Sequence, residues 1–445
     1  MTRTLRNWSG SAWSHPQTLH TPSTDAEIQD IVTTAAEQGQ RVRVRGAGHS
    51  FTPVAASNDQ LLQLDRLSGL ISADANAGRA RFRAGTRLRD IPALLAAHGL
   101  ALPNQGDVDP QALAGAVSTG THGTGLAFTG FAGAVTALTL IDATGTRREL
   151  SPTREPELFD HARLSLGVLG VLTEIELMCV PAFDLIACET AEPFDEIRSS
   201  IVDRARAADH IEFYWFPHSE RAAVKTNTRI SPGAQAPAEL AHVTSRPAWL
   251  RMLSEEVVDN AALAAICALG ARMPALVPHF NRLATAAVSN RAYRAAAHEV
   301  FVSPRRVRFN EMEYAVPLAS GPEVLAEIAR TIASRGWKIS FPLEVRVAAA
   351  DDVPMSTASG REVMYIAVHR YVEEEWEPYF RTLEDILLAA GGRPHWGKLH
   401  RLGYRQLAER YPRFEEFCAL RERLDPAGMF SNDYTDTLFI RPGHG

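Results

Sequence analysis

The feature that most limits what this chain can fold into is a strand that runs directly into two glycines and a histidine: Val42-Arg43-Val44-Arg45-Gly46-Ala47-Gly48-His49-Ser50-Phe51. Val42 and Val44 alternate with arginines, the period-2 pattern of a half-buried strand. Gly46 and Gly48 let the backbone turn sharply and approach a ligand closely. Successive amide N–H groups in such a turn form a concavity for an anion such as pyrophosphate. His49 then stands at the rim of a nucleotide site, where a ring nitrogen can do chemistry. The competing reading is a plain glycine turn.

A second stretch argues for a ligand. Residues 114–125, Ala-Gly-Ala-Val-Ser-Thr-Gly-Thr-His-Gly-Thr-Gly, consist almost wholly of small residues and hydroxyls. The run lacks the Gly-Lys-Ser/Thr of a P-loop, and its glycine spacing is not that of a Rossmann fingerprint. It suits a backbone wrapped closely around a flat or phosphorylated ligand, with an unliganded glycine loop as the alternative. Two further segments carry charge. In Phe341-Pro342-Leu343-Glu344-Val345-Arg346, a strand would put Glu344 and Arg346 on one face. Side by side they can bind and polarise a hydroxyl, or form a solvated surface pair. Arg393-Pro394-His395-Trp396-Gly397-Lys398-Leu399-His400 gathers a basic cluster around Trp396. Its lysine can stabilise negative charge that develops on a bound ligand, or the cluster can be a cap or surface patch.

Composition narrows the class. A chain of 445 residues accommodates two or three domains. Hydrophobic content of 45% and charged content of 22% are those of a soluble enzyme. A net charge of −6 without blocks of like charge argues against nucleic acid and anionic membrane as partners. Cys179, Cys188, Cys267 and Cys418 are scattered and form no C-x-x-C pair, so neither a disulfide framework nor a metal site is expected. His98, His161, His210 and His218 have no ligand-like partners nearby in sequence and are taken as structural. The N-terminus has no apolar run after its charges. The longest apolar run, 261–271, is too short to cross a bilayer. A cytoplasmic protein without a transmembrane segment is expected; its oligomeric state stays open.

The hydrophobic pattern alternates helix and strand. Thr24-x-x-Glu27 is a capping box before Ile28, Ile31, Val32 and Ala35. Strands are predicted at 41–45, 61–65, 79–84, 134–142 and 171–178, with a helix at 87–98. Beyond Pro181, strands are predicted at 211–216, 223–228, 307–316, 340–348 and 362–370. Helices are predicted there at 252–271, 284–299 and 321–335. From Gly391 onward only short helices are expected. The pattern is α+β.

Taken in order, Gly46-Ala47-Gly48-His49-Ser50-Phe51, Leu102-Pro103-Asn104, Gly115 through Gly123, Leu166-Gly167-Val168-Leu169-Gly170-Val171, Glu344-Val345-Arg346 and His395-Trp396-Gly397-Lys398 resemble one family. The chain is similar to the sugar-acid-lactone and alditol oxidases of the vanillyl-alcohol-oxidase flavoprotein superfamily, over nearly its whole length. The resemblance implies a two-subdomain FAD-binding domain of the PCMH type (1–182), an α+β substrate cap (183–390) and a C-terminal segment returning to the FAD domain (391–445). It implies FAD bonded covalently through His49. No cysteine falls near 100–125, so a doubly linked flavin is not expected. The cofactor positions it implies are Arg45, Gly46, Ala47, Gly48, His49, Ser50, Phe51, Gln105, Gly106, Asp107, Gly115, Ser118, Thr119, Gly120, His122, Gly123, Gly170, Val171 and Lys398.

By the same resemblance, an alcohol carbon gives hydride to flavin N5, Glu344 and Arg346 hold its hydroxyl, and Lys398 sits near flavin and substrate. Asp107, Arg370 and His395 complete the implied substrate contacts. Electrons pass to molecular oxygen, giving hydrogen peroxide, or to another acceptor. Two departures point away from the polyol branch. Asp107 stands where those relatives carry a substrate-contacting serine. Val368 and Arg370 stand where they carry a histidine and a threonine. Both stretches look more like the gulono- and arabinonolactone oxidases. Gly106 occupies a position linked in the family to oxygen access, which favours an oxidase. An alditol oxidase, or a lactone dehydrogenase with another acceptor, is the alternative.

Overall fold

The computed structural model describes residues 4–236, 240, 260–286, 290–303 and 305–443. After a short antiparallel pair, Leu5–Arg6 with Trp13–Ser14, the chain builds a small parallel sheet. β1 (Thr18–His20), β2 (Val42–Arg45) and β3 (Gln60–Gln63) are ordered β1-β3-β2. Parallel strands need a crossover; α1 (Asp25–Glu37) carries the chain from β1 to β2, which flank β3. Thr24 Oγ1 accepts from the Glu27 amide at 3.2 Å, and the Glu27 carboxylate accepts from the Ser23 amide at 2.6 Å. Ile28, Val32 and Ala35 are buried as the helical period requires.

A five-stranded antiparallel sheet follows, built from β4 (Leu70–Asp74), β5 (Arg79–Arg83), β6 (Val135–Ile141), β7 (Arg147–Leu150) and β8 (Val171–Met178). Its order is β7-β6-β8-β5-β4. The three inner strands match the predicted ones. The two edges, β4 and β7, went unpredicted because edge strands are half solvated and their burial does not alternate cleanly. Between β5 and β6 lies α2 (Leu113–Thr119), which ends at Gly120 with φ of 77°.

The largest sheet has eight strands: β9 (Asp184–Pro193), β10 (His210–Trp215), β11 (Arg221–Ile230), β12 (Arg291–Ala296), β13 (Phe309–Pro317), β14 (Leu343–Ala348), β15 (Val363–Tyr371) and β16 (Arg393–Pro394). Their order is β12-β9-β11-β10-β14-β15-β13-β16. Helices α3 (Phe194–Ala207), α4 (Gly321–Arg335) and α5 (Glu377–Ala389) cover one face. There Phe213, Trp215, Val345, Ile366, Val368 and Met312 join Ile197, Ile201, Leu325, Ile328 and Leu383 in one core. The α4 bounds are those predicted.

One prediction is overturned. The span 284–299 is not a helix: the preceding helix ends at Ala286, Arg291–Ala296 is β12, and only Ala297–Phe301 is helical again. Its alanines favour helix, but the segment pairs along β9 from Asp184↔Ala296 to Glu189↔Arg291. Arg294 and Arg291 salt-bridge Asp184 (2.7 Å) and Glu189 (2.5 Å) across that pair. Tertiary pairing outweighs propensity here. The predicted helix 252–271 lies partly outside the described residues, and its described part is Asn260–Arg272. The C-terminal segment packs back on β2: the Val42 amide donates to Met429 O at 2.8 Å, and Arg43 reaches the Phe430 carbonyl.

Candidate active site

Two adjoining regions make the site. The first is a cleft beside the β2 turn. Arg6, Arg43 and Arg45 line it, together with Gly46, Ala47, Gly48, His49 and Ser50. Gly115, Ser118, Thr119, Gly167 and Gly170 face them. The donor set fits a dinucleotide. Three guanidiniums and the Ser118 and Thr119 hydroxyls suit phosphates, and Arg43 Nε is buried without a partner. The backbone is bare where a flat ligand would lie: a Cβ at Gly115 would meet no atom within 4 Å. Gly48 has φ of +72°, a conformation glycine adopts without strain. The Trp8 ring stacks against His49 at 5.9 Å, and the Trp8 amide donates to Gly48 O at 2.7 Å, so the N-terminal segment braces the turn.

The second region is the face of the large sheet opposite α3, α4 and α5; it is buried and charged. Strand register aligns Tyr214 with Glu344, Arg346 with Tyr365, and Glu311 with His369. Glu212, Tyr214, Glu344, Arg346, His369, Glu311 and Glu313 thus share one side, each alternating with a core residue. Arg346 bonds Glu344, Glu212 at 2.9 Å and Asp107 at 3.2 Å. Arg305 bonds Asp107 at 2.6 Å and lies 3.6 Å from Glu344. The Tyr214 hydroxyl donates to Glu344 Oε1 at 3.1 Å. Lys398 pairs with Glu311, whose other oxygen lies 3.5 Å from His369, and His122 faces Glu313 at 3.2 Å.

The second glycine-rich segment, 114–125, touches this face. The Gly125 amide donates to Val347 O at 2.8 Å, and His122 stacks on Tyr365 with centroids 3.4 Å apart. The 393–400 loop joins the two regions. Phe51 N donates to Gly397 O at 2.7 Å, while the His395 and Leu399 amides donate to the Glu313 and Glu311 carbonyls.

Burial and neighbours drive the two central carboxyls apart. Burial raises Glu344, and Arg346 offsets this only in part, so its carboxyl stays above the ordinary range. Burial would raise Asp107 too, but Arg305 and Arg346 outweigh it and hold Asp107 well below that range. Glu311 is lowered to about 2, because Lys398 overcomes its burial. Burial, reinforced by Lys398 and Arg87, brings His49 down to about 4, leaving its imidazole neutral.

The structure sorts the sequence expectations. The cleft gathers Arg45 through Ser50, Gly115, Ser118, Thr119 and Gly170. The charged region gathers Asp107, His122, Glu344, Arg346, His395 and Lys398. Gly106 and Gly123 are packing glycines between the loops: an added Cβ would lie 2.9 Å from His122 O and 2.5 Å from Gln105 O, respectively. Phe51 stacks on Phe309 at 5.8 Å, Val171 is a buried β8 residue, and Gln105 lines a separate cavity with Leu102 and Phe301. His210 is buried, with Nδ1 2.7 Å from Thr124 O. Arg370 is a correction. Its guanidinium donates to the carbonyls of Lys338 (2.9 Å) and Glu375 (3.1 Å), away from the charged face. Adjacent strand residues point to opposite sides, so His369 takes the inward position.

Sequence reasoning missed Glu212, Tyr214, Arg305, Glu311, Glu313 and His369. The signal was present in part: His210-Ile211-Glu212-Phe213-Tyr214-Trp215 and Asn310-Glu311-Met312-Glu313-Tyr314 alternate polar with apolar residues. Only the sheet register reveals that these polar sides coincide.

Residues 175–438 match the D-arabinono-1,4-lactone oxidase family, and residues 16–151 match an FAD-binding domain. The chain belongs to the D-arabinono-1,4-lactone oxidase family. It is an FAD-dependent oxidoreductase acting on CH–OH donors. It is 39% identical to an L-gulono-1,4-lactone dehydrogenase of Mycobacterium tuberculosis, over 96% of this chain and 97% of that one. It is 31% identical to an L-gulonolactone oxidase of Scyliorhinus torazame, over 98% of each. A cholesterol oxidase from B. sterolicum shares the fold at a TM-score of 0.82 and 17% identity, over 99% of this chain and 97% of that one. Among the described residues no helix is long and apolar enough to cross a membrane.

Proposed function

We propose that this member of the family oxidises a secondary alcohol of a neutral aldonolactone and passes the electrons to oxygen. One observation carries the substrate class. Arg305, Arg346 and Lys398 each already face a carboxylate on the charged face. That leaves them poorly disposed to take a sugar acid's carboxylate and well suited to hydroxyl and ring oxygens. In this reading residues 1–182 and 391–445 hold the cofactor and 183–390 hold the substrate. The four thiols are unpaired, which suits a reducing cytoplasm.

Bound FAD supplies the hydride acceptor. Glu344 Oε1 is occupied by Arg346 and Tyr214, whereas its Oε2 has only the 3.6 Å approach of Arg305. Oε2 is therefore the acceptor for the reacting hydroxyl and takes its proton as the hydride leaves. The raised affinity of Glu344 for a proton makes it a better base than an ordinary glutamate. Asp107, fixed as an anion, holds Arg305 and Arg346 in register. Lys398 keeps a cation at the junction with the cleft, where negative charge develops. His49, neutral and braced by Trp8, retains a lone pair for a covalent bond to FAD.

The test is turnover by the purified holoenzyme in air with L-gulono-, L-galactono- and D-arabinono-1,4-lactones, the matching aldonates, xylitol and sorbitol. Lactone-dependent peroxide is expected. Peroxide with polyols alone would favour the alditol-oxidase reading. Flavin bleaching by lactone with slow reoxidation in air would favour a dehydrogenase.

A further inference from the structure

The charged face is crowded with hydrogen-bond acceptors and short of donors. Glu212, Glu311, Glu313, Glu344 and Asp107 all bring carboxylates to it. A sugar hydroxyl satisfies a carboxylate by donating to it. A lactone carbonyl only accepts, so it needs an N–H or O–H that is not already engaged. Arg346 is divided among Glu344, Glu212 and Asp107, and the Tyr214 hydrogen goes to Glu344 Oε1. Lys398 is paired with Glu311 at the junction with the cofactor cleft.

Arg305 differs. Its Nε donates to Asp107 Oδ2 at 2.8 Å, and Nη2 lies 2.6 Å from the same oxygen and 3.4 Å from the Tyr214 hydroxyl. Its Nη1 has no hydrogen-bond partner among the described residues. The side chain is 25% exposed, against 9% for both Arg346 and Glu344, so a ligand can reach that edge. The loop carrying it is tied to Asp107 a second time, the Ser303 amide donating to Asp107 O at 3.1 Å. The guanidinium is thus fixed 3.6 Å from Glu344 Oε2, the oxygen left open for the reacting hydroxyl.

We propose that Arg305 is the residue that selects a lactone over a polyol, its open edge donating to the lactone carbonyl while Glu344 Oε2 accepts from the hydroxyl on the adjacent carbon. The inference rests on the lactone reading above. In an α-hydroxylactone the two oxygens sit on neighbouring carbons, about one hydrogen-bond length apart. A donor and an acceptor standing side by side therefore hold both at once. The carbinol C–H then leaves as hydride to the bound cofactor, the hydroxyl proton passes to Glu344 Oε2, and the C–O bond becomes a second carbonyl beside the first. A polyol has no carbonyl to place on Arg305, so the guanidinium gives it no comparable advantage.

The probes are L-gulono-1,4-lactone and the 1,4-anhydrohexitol of the same configuration, which keeps the ring and its hydroxyls but has a methylene in place of the carbonyl. Binding is measured by calorimetry on anaerobic holoenzyme with its flavin already reduced, so that neither ligand turns over. Arg305→Lys keeps a charge for Asp107 but loses the planar second edge. It is expected to weaken lactone binding by about tenfold or more, the loss of a hydrogen bond from a charged donor, while anhydrohexitol binding changes by less than about twofold. Equal losses for the two ligands overturn the inference, because they would make Arg305 a mere support for Asp107; unchanged lactone binding overturns it too. The wild type should itself prefer lactone to anhydrohexitol by a similar factor, a comparison that needs no variant to fold, and equal affinities overturn the inference. Turnover in air separates it from the reading beneath. Lactone bound but not oxidised by the wild type defeats only the oxidase assignment. Peroxide from lactone at an unchanged kcat/KM in Arg305→Lys defeats only the role of Arg305, and a wild type that does not bind lactone defeats both.

Discussion

The cleft beside β2 and the charged face of the large sheet adjoin, yet they are made of different material. The cleft is mostly backbone, open, and shaped by residues whose side chains are small or missing. The charged face is closed and made of side chains, with carboxylates and guanidiniums packed to within hydrogen-bond distance of each other. A backbone site is specified by contiguous sequence, because neighbouring amides must turn together. A side-chain site is specified by register, because its members come from β10, β13, β14, β15 and the four loops that carry Asp107, His122, Arg305 and Lys398. Substitutions in the first should therefore alter cofactor retention, and substitutions in the second should alter chemistry while the flavin stays.

The sharpest test of that division is Glu344→Gln. Loss of the proton acceptor should lower kcat/KM by about 10²–10⁴, with the bound-flavin spectrum unchanged; loss of flavin instead would break the comparison. Arg346→Ala should cost as much activity and also destabilise the fold by about 3–5 kcal/mol, because it leaves Glu344, Glu212 and Asp107 buried without their shared cation. A thermal melt read alongside turnover separates the two effects.

On the cleft side, His49→Ala should remove all flavin fluorescence from a denaturing gel while the native protein stays yellow. A wild-type band that is dark would show that His49 forms no bond. The pH profile gives a smaller effect. Glu344 must be ionised to accept the hydroxyl proton, and burial raises it. Activity should therefore fall on acidification at a pH above that of an ordinary glutamate, while Asp107, held low, stays ionised throughout. An acid limb at the ordinary glutamate value would assign the base elsewhere. The smallest effect belongs to Arg370→Ala. With its guanidinium on Lys338 O and Glu375 O, kcat/KM should change by less than about twofold; a larger loss would restore Arg370 to the substrate site.

Local pattern made the cofactor half legible. The strand 42–45, the turn at Gly46–Gly48 and the 114–125 run each announce themselves within a dozen residues, and α4 was bounded by its own amphipathic period. In the reaction half, local pattern paired only Glu344 with Arg346, which share one strand; Asp107, His395 and Lys398 joined them through the family resemblance alone. Arg370 shows the limit: one step along a strand reverses the face, and the inward residue is His369. Arg291–Ala296 shows another, where an alanine-rich segment became a strand because β9 offered it hydrogen bonds and two counter-charges.

By itself, then, the sequence determined where the backbone turns and which residues carry reactive chemistry, since both follow from side-chain size and covalent neighbours. Tertiary structure alone decided that Glu212, Tyr214, Arg305, Glu311, Glu313 and His369 join Asp107, Glu344, Arg346 and Lys398. It likewise decided that burial raises one carboxyl while guanidiniums hold the other down. Those outcomes depend on contacts between residues as far apart in the chain as Asp107 and Arg346, which no local pattern encodes.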